Sequence, residues 1–219
     1  RRGPNDHPVD VTPIIVGEEA RTAATVHAGQ LLLVTNREAP RYKVLRTPVA
    51  LNSPALADAA RWQVLVPESD AVLNEWVVQG DSLLLAYTRG LDAALVQFPL
   101  GAGLSSIPPL PRDLPLPPGG ELGELTTDRA GRHALFSFSG YRTPPAIFLR
   151  SGAADPAPIV RVTTDVDLEG FDYEVVQVRS ADGTEVPMQL LSRRGMARDG
   201  NNPVLLYGYG GFNVSLLPA

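Results

Sequence analysis

Short apolar runs recur along the chain at a nearly constant spacing. Three strand-like runs are centred on positions 52 and 51 residues apart, Leu33, Leu85 and Phe136. A polar turn with Gly or Pro follows each run, and then a second strand whose matching positions are 52 residues apart in both steps: Val44, Val96 and Phe148. Alternation and turn residues of this kind predict hairpins, and the constant period predicts a repeat.

Further apolar runs flank these hairpins. The preceding runs are 22–26, 73–77 and 121–125, and closing runs lie at 62–66 and 158–162. The closing strand of the middle unit falls within the proline-rich stretch 107–118, where the pattern does not place it. Four antiparallel strands in about 50 residues are typical of a propeller blade.

The pattern therefore predicts a mainly β fold with about three four-stranded blades, at about 20–66, 71–118 and 121–165. A β-sandwich is the alternative, but a spacing held over three units favours the propeller. Propellers usually close with about 4–8 blades. We therefore expect further blades before this stretch, which makes the chain a piece of a longer protein, with 1–165 as a partial propeller.

The repeat ends near Asp165. The acidic segment 165–170 resembles a calcium loop, but the closing glutamate of such a loop would fall at Val176, so a solvated linker is expected and no metal. A hairpin is predicted from 173–178 and 186–191 around a turn at 181–184. A continuous apolar run, 204–207, then predicts a strand buried on both faces. Residues 166–219 are thus expected to begin an α/β domain.

Composition narrows the classes of function. The formal net charge is −5 with acidic and basic residues interspersed, so no nucleic-acid partner is expected. There is no cysteine and no apolar run of about 20 residues, so neither a disulfide framework nor a membrane span is expected. We expect a cytoplasmic location, with a periplasmic or secreted one left open, and no cofactor.

The predicted buried strand leads into the glycine-rich segment 208–213. In α/β-hydrolases such a loop helps form the oxyanion hole, where glycines let backbone pass close to the reacting carbonyl. The Tyr209 hydroxyl is a candidate donor for the negative charge that develops there. Alone, the segment also fits a tight turn with packed aromatic side chains. It lacks the third glycine of a dinucleotide loop and the lysine of a P-loop.

Two motifs together resemble the prolyl oligopeptidase family. They are Asp-Gly-Thr-Glu-Val-Pro-Met at 182–188 and Tyr-Gly-Tyr-Gly-Gly-Phe-Asn at 207–213. Other positions also fit the family, namely 35–37, Tyr42, 62–67 and 172–173. The likeness therefore runs from about residue 20 to 219 and is strongest from 172 onward. The pair Gly211-Phe212 is similar to the prolyl group rather than to the oligopeptidase B group.

The resemblance implies a serine endopeptidase that cleaves short peptides after proline. A propeller of the seven-bladed type would cap an α/β-hydrolase domain and exclude folded proteins. Tyr209 matches the family's oxyanion tyrosine, and Phe212 matches a hydrophobic residue that lines the substrate pocket. Short proline-containing peptides are therefore the expected partners.

The catalytic triad is missing from this sequence. No Gly-x-Ser-x-Gly pentapeptide occurs in the 219 residues, and the triad order in this fold places Ser, Asp and His after the oxyanion strand. His7, His27 and His133 all lie in the propeller part and are not expected to act as bases. The chain is therefore expected to be inactive by itself.

Two other functions stay open. One is a non-catalytic propeller module that binds peptides or a protein partner, from a truncated peptidase gene. The other is a related peptidase that acts after basic residues, which would need acidic specificity residues outside this sequence. In either case, uncovered blade faces are expected to make the chain self-associate.

Overall fold

The chain folds into small antiparallel sheets. The computed structural model describes residues 13–49, 56, 58–101, 110–211 and 216–218. Contacts divide the chain into two compact units, 1–70 and 71–219. The expected boundary between two domains at 165/166 stays a prediction.

Helices contribute little to the structure. Within the residues just given, none combines the length and the apolar character needed to cross a membrane.

The first unit contains one four-stranded sheet with its strands in chain order. They are β1 (Thr22–His27), β2 (Gln30–Thr35), β3 (Lys43–Pro48) and β4 (Gln63–Val66). Side chains alternate between the two faces of a strand, so Leu31, Leu33 and Leu45 share one face. Partly buried apolar side chains cover that face: Ile14, Ile15, Val49, Leu56 and Trp62.

The second unit begins with another four-stranded sheet. Its strands are β5 (Val72–Gln79), β6 (Ser82–Arg89), β7 (Asp92–Pro99) and β8 (Arg112–Leu114). Strand β8 is the closing strand that the sequence pattern did not place. It has only three residues, and it pairs with β7 through Leu95 and Leu114. Pro111 and Pro115 border this strand and limit its length, because proline has no backbone N–H to donate to the hydrogen-bond ladder.

A third four-stranded sheet follows. Its strands are β9 (Glu121–Thr127), β10 (His133–Gly140), β11 (Thr143–Ser151) and β12 (Ala157–Arg161). Each strand predicted for the three repeat units is present, so the hairpin repeat is confirmed. The antiparallel order of four strands is also that of the predicted blade.

The second and third sheets pack through an apolar core. Buried positions of β6 and β7, among them Leu84 and Leu95, meet the buried face of β10. Phe136 stacks on Phe148 with ring centroids 5.3 Å apart, and Phe138 meets Phe148 edge-on at 6.1 Å. Burying side chains of this size contributes about 1.5–3 kcal/mol each. These rings therefore contribute to the stability of the interface between the two sheets.

A polar network lies between the same two sheets. Arg150 is 1% exposed, and its guanidinium donates to the side-chain oxygens of Gln79 and Gln97. Gln79 Nε2 in turn donates to the backbone oxygens of Arg132 and Arg150, at 3.0 and 3.1 Å. Burial lowers the pKa of Arg150. Arg150 Nε has no hydrogen-bond partner among the described residues.

An ion pair accompanies this network. Arg112 of β8 pairs with Asp155, which lies in the turn between β11 and β12. Arg112 also lowers the pKa of Arg150, whereas Asp155 acts in the opposite direction. The hydrogen bonds of the buried guanidinium thus go to amide oxygens rather than to a carboxylate. Loss of either amide acceptor would leave a buried charge without that hydrogen bond.

A two-stranded hairpin follows the third sheet, as predicted. It consists of β13 (Phe171–Arg179) and β14 (Glu185–Arg193). In its turn, Asp182 Oδ1 accepts a hydrogen bond of 3.0 Å from the Thr184 backbone N–H, which lowers the pKa of that carboxyl. Gly183 has a φ of +88°, where a side chain would be strained. The Asp-Gly-Thr motif is therefore the turn itself.

We predict that Gln79→Leu lowers the free energy of unfolding by about 3 kcal/mol. The change removes an acceptor from a buried guanidinium and a donor from two backbone carbonyls. Denaturant unfolding of the chain measures it. Gln177→Leu, at an exposed position of β13, is the matched control and should change stability by less than about 0.5 kcal/mol. Equal unfolding midpoints for the two variants would contradict the prediction.

Candidate active-site segment

The glycine-rich segment is connected to the hairpin by a folded loop. Arg194 N–H donates to the Gly170 carbonyl at 2.8 Å, and Arg198 pairs with Glu174 of β13. Further along, Asn201 N–H donates to Asp199 Oδ1 at 3.0 Å, which lowers the pKa of that carboxyl. The loop therefore stays in contact with the hairpin before it reaches the glycine-rich segment.

The run 204–207 differs from its prediction. Sequence predicted a strand buried on both faces, but these described residues form no strand. Val204, Leu205 and Leu206 are 86%, 94% and 80% exposed. A strand exists only through hydrogen bonds to a neighbouring strand, and none pairs with this run in the part of the chain that the structure describes. The prediction is wrong for this chain.

Tyr209 lies beside Gly211 within this segment. Its side chain is about half exposed. A Cβ built on Gly211 would lie 2.8 Å from the Tyr209 hydroxyl oxygen, whereas Gly208 and Gly210 have open space around that position. A side chain at 211 would therefore displace the hydroxyl. Of the three glycines 208, 210 and 211, Gly211 is the one whose replacement would shift the Tyr209 side chain.

Phe212, the second predicted site residue, lies outside the described residues, so its predicted role in lining a pocket stays a prediction. Beyond it, the chain contacts the hairpin again. Gln189 Nε2 of β14 donates to the Leu216 carbonyl at 3.3 Å, and Pro218 is fully buried. The segment that carries Tyr209 is thus bordered on both sides by contacts with the hairpin.

The chemistry available to Tyr209 is hydrogen-bond donation. A phenol is neutral near pH 7 and carries one O–H donor on a rigid ring. Because glycines flank the ring, a substrate carbonyl could approach the hydroxyl closely. The segment can therefore present a neutral donor to an oxygen on which negative charge develops, which is what an oxyanion site needs.

His133 does not join this segment. His133 opens β10 at an exposed position, and its Nδ1 lies 2.9 Å from Ser151 Oγ. Asp128 accepts hydrogen bonds from the backbone N–H of residues 132 and 133 rather than from the imidazole. His27 ends β1 in the first unit, and His7 lies outside the described residues. A catalytic triad does not form around the His133–Ser151 pair in the described structure.

The acidic connection at 165–170 is a local turn. Asp167 Oδ1 accepts from the Gly170 N–H at 3.2 Å and caps a short 3-10 turn, Leu168–Gly170. Glu169 pairs with Arg142 at 2.8 Å. The residues that the structure describes contain no cluster of three or more side chains suited to bind a metal ion.

Sequence reasoning missed one contact of the hairpin. Tyr173 of β13 packs against Tyr141 and Gly119. The pair Gly119-Gly120 was a usable signal, because adjacent glycines before a strand mark a close approach. Here a Cβ on Gly120 would overlap the Phe138 ring, and one on Gly119 would press on Tyr173.

A family match covers most of the chain. The family described as "Prolyl oligopeptidase, N-terminal beta-propeller domain" matches residues 2–161. The match ends with β12, before the hairpin and the glycine-rich segment.

Curated relatives extend the similarity along the chain. A prolyl endopeptidase of Elizabethkingia miricola is 30% identical over 215 residues, which cover 96% of this chain and 28% of that protein. Prolyl oligopeptidase A of Galerina marginata is 30% identical over 201 residues, which cover 87% of this chain and 25% of that protein. The chain thus spans only a minor part of the length of these relatives.

Solved structures are similar in the same way. One from a study of two prolyl endopeptidases matches with a TM-score of 0.78 and 30% identity, over 93% of this chain and 29% of that one. Oligopeptidase B of Trypanosoma brucei matches with a TM-score of 0.75 over 92% of this chain and 29% of that one. At 17% identity, the second likeness shows the fold alone.

We predict that the chain self-associates and that Leu205→Lys weakens the association. Three consecutive apolar side chains at 204–206 are exposed, and burying them against a second copy removes them from water. Sedimentation velocity over a concentration series measures this. Leu110→Lys is the matched control, because Leu110 is 89% exposed and lies outside this run. A wild-type chain that stays monomeric at all concentrations would contradict the prediction.

Proposed function

Because this chain belongs to the prolyl oligopeptidase family, we propose that it is part of a serine endopeptidase that hydrolyses short peptides on the carboxyl side of proline. In this proposal, residues 1–165 are the last blades of a propeller and residues 166–219 begin the α/β-hydrolase domain. The observation that carries the proposal is that Tyr209 is half exposed in a glycine-rich segment, which a loop connects to the hairpin.

Tyr209 is proposed to stabilise the tetrahedral intermediate of peptide hydrolysis. When the serine oxygen attacks the scissile carbonyl, the carbonyl oxygen gains negative charge. The Tyr209 hydroxyl donates a hydrogen bond to that oxygen, alongside a backbone N–H near the serine. A donor fixed in place before the reaction lowers the barrier because it needs no reorganisation as charge develops.

The rest of the machinery is assigned to sequence that continues beyond this chain. The nucleophilic serine, its histidine base and the aspartate that orients the histidine follow the oxyanion strand in this fold. Phe212 is proposed to line the pocket that accepts the proline ring. The propeller is proposed to cover the active site and admit only short peptides.

A second candidate concerns the 219 residues by themselves, which contain no Gly-x-Ser-x-Gly pentapeptide under either candidate. In that candidate, the chain is a propeller module that binds peptides or a protein partner without cleaving them. The two candidates differ in whether the coding sequence continues into a complete hydrolase domain.

We predict that Tyr209→Phe in the complete enzyme lowers kcat about 10²–10³-fold with little change in KM. Removal of one oxyanion donor affects the transition state rather than substrate binding. Steady-state turnover of a proline-containing peptide measures it.

Tyr207→Phe is the matched control, since it removes a tyrosine hydroxyl two residues away and should leave kcat unchanged. If Tyr209→Phe turns over substrate as fast as Tyr207→Phe, the oxyanion role is wrong. If the unaltered enzyme shows no preference for proline, the substrate class is wrong instead.

We further predict that the 219-residue chain alone does not cleave proline-containing peptides above the rate in buffer. Sequencing beyond Ala219 is expected to show Gly-x-Ser-x-Gly-Gly, then an aspartate and a histidine. A chain extended through those residues should gain the activity. A stop codon near Ala219, together with peptide binding by the chain, would instead support the binding module.

A further inference from the structure

Gly211 differs from the neighbouring glycines of its segment in what surrounds it. A Cβ built on Gly211 would lie 2.8 Å from the Tyr209 hydroxyl oxygen and 3.0 Å from Tyr209 Cζ. Its third neighbour, Cε2 at 3.5 Å, belongs to the same ring. A Cβ built on Gly208 or Gly210 meets no heavy atom within 4 Å. The crowding at Gly211 therefore comes from the Tyr209 side chain.

The backbone conformation does not explain a glycine at position 211. Turn glycines such as Gly183 and Gly200 have φ angles of +88° and +83°, where a side chain would be strained. The φ angle of Gly211 lies outside that left-handed region. A side chain at position 211 would therefore be opposed by the contact with Tyr209 and not by backbone strain.

An added methyl group at position 211 would move the tyrosine side chain. Tyr209 is 49% exposed, so its ring has open solvent to move into. Ordinary contacts begin at 3.4 Å, and the hydroxyl oxygen lies at 2.8 Å. The hydroxyl would therefore have to shift by about half an ångström, which is the tolerance of a working catalytic group. The sheets of the second unit would stay intact, because Gly211 does not belong to their core.

A shift of this size weakens an oxyanion donor. Such a donor acts when it already lies about 2.7–3.1 Å from the position that the charged oxygen will occupy. A misplaced donor must reorganise as charge develops, which raises the barrier of the chemical step. Binding of the uncharged substrate depends much less on this hydrogen bond. The expected effect is therefore on kcat rather than on KM.

We propose that Gly211 is a positioning residue for the oxyanion donor. Its missing side chain leaves the space in which the Tyr209 hydroxyl lies, and a side chain at 211 would move that donor away from the substrate oxygen. Gly211 acts only through Tyr209 and does not itself contact substrate. This inference rests on the proposed function, since it assigns Gly211 a part in the oxyanion site that Tyr209 is proposed to form.

A double-mutant cycle in the complete enzyme tests the proposal. Gly211→Ala should lower kcat roughly tenfold to a hundredfold with little change in KM. In the Tyr209→Phe background, the same change should alter kcat less than about twofold, because no hydroxyl remains to be misplaced. Steady-state turnover of a proline-containing peptide by the four forms of the enzyme measures both effects.

A second measurement tests the contact in the 219-residue chain without any need for activity. The six tyrosines are replaced by 3-fluorotyrosine, and the signal that Tyr209→Phe removes from the fluorine spectrum identifies Tyr209. Gly211→Ala should move this signal, because the added methyl group displaces the ring. Gly208→Ala is the matched control and should move it less, since a Cβ at position 208 has open space around it.

Three results would overturn the positioning role. They are an unchanged kcat in Gly211→Ala, an equal loss of kcat from Gly211→Ala with and without the Tyr209 hydroxyl, and equal shifts of the fluorine signal in the two glycine variants. The second result also covers a variant that fails to fold, since the loss would then not depend on the hydroxyl. If Tyr209→Phe alone leaves kcat unchanged, the oxyanion role of Tyr209 fails, and the role of Gly211 fails with it.

Discussion

The face-to-face packing of the second and third sheets is the interaction on which the second unit depends. A four-stranded sheet cannot bury both of its faces alone, so each needs a neighbour. Phe136, Phe138 and Phe148 supply the apolar part of this interface. Arg150 and its amide partners add a polar part in which the hydrogen bonds have defined directions. Apolar burial makes the interface stable, and the polar network constrains how the sheets align.

The hairpin is attached to this pair of sheets in a different way. Its connections to the third sheet include one aromatic contact, and the short turn before it adds one exposed ion pair. The second and third sheets share an extensive interface, whereas the interface of the hairpin with the third sheet is small. The hairpin is therefore the element of the second unit whose position can change most easily. The segment that carries Tyr209 follows this hairpin, so its position depends on the weaker of the two attachments.

The role proposed for Tyr209 depends on more than its local surroundings. The hydroxyl and its glycine neighbours are local features, and Gly211 leaves room for the present position of the tyrosine ring. A working oxyanion site also needs a second donor, a nucleophile and exclusion of water. Membership of the prolyl oligopeptidase family supplies the reason to expect those parts in the complete protein.

The strands of the three sheets were predictable because alternation and turn residues are local properties, and the Asp182-Gly183-Thr184 turn was predictable for the same reason. The three-residue strand β8 was not, because only its pairing with β7 makes it a strand. Residues 204–207 misled the prediction since burial depends on neighbours, not on apolar character. Gln79 and Arg150 are 71 residues apart, so folding alone brings them together.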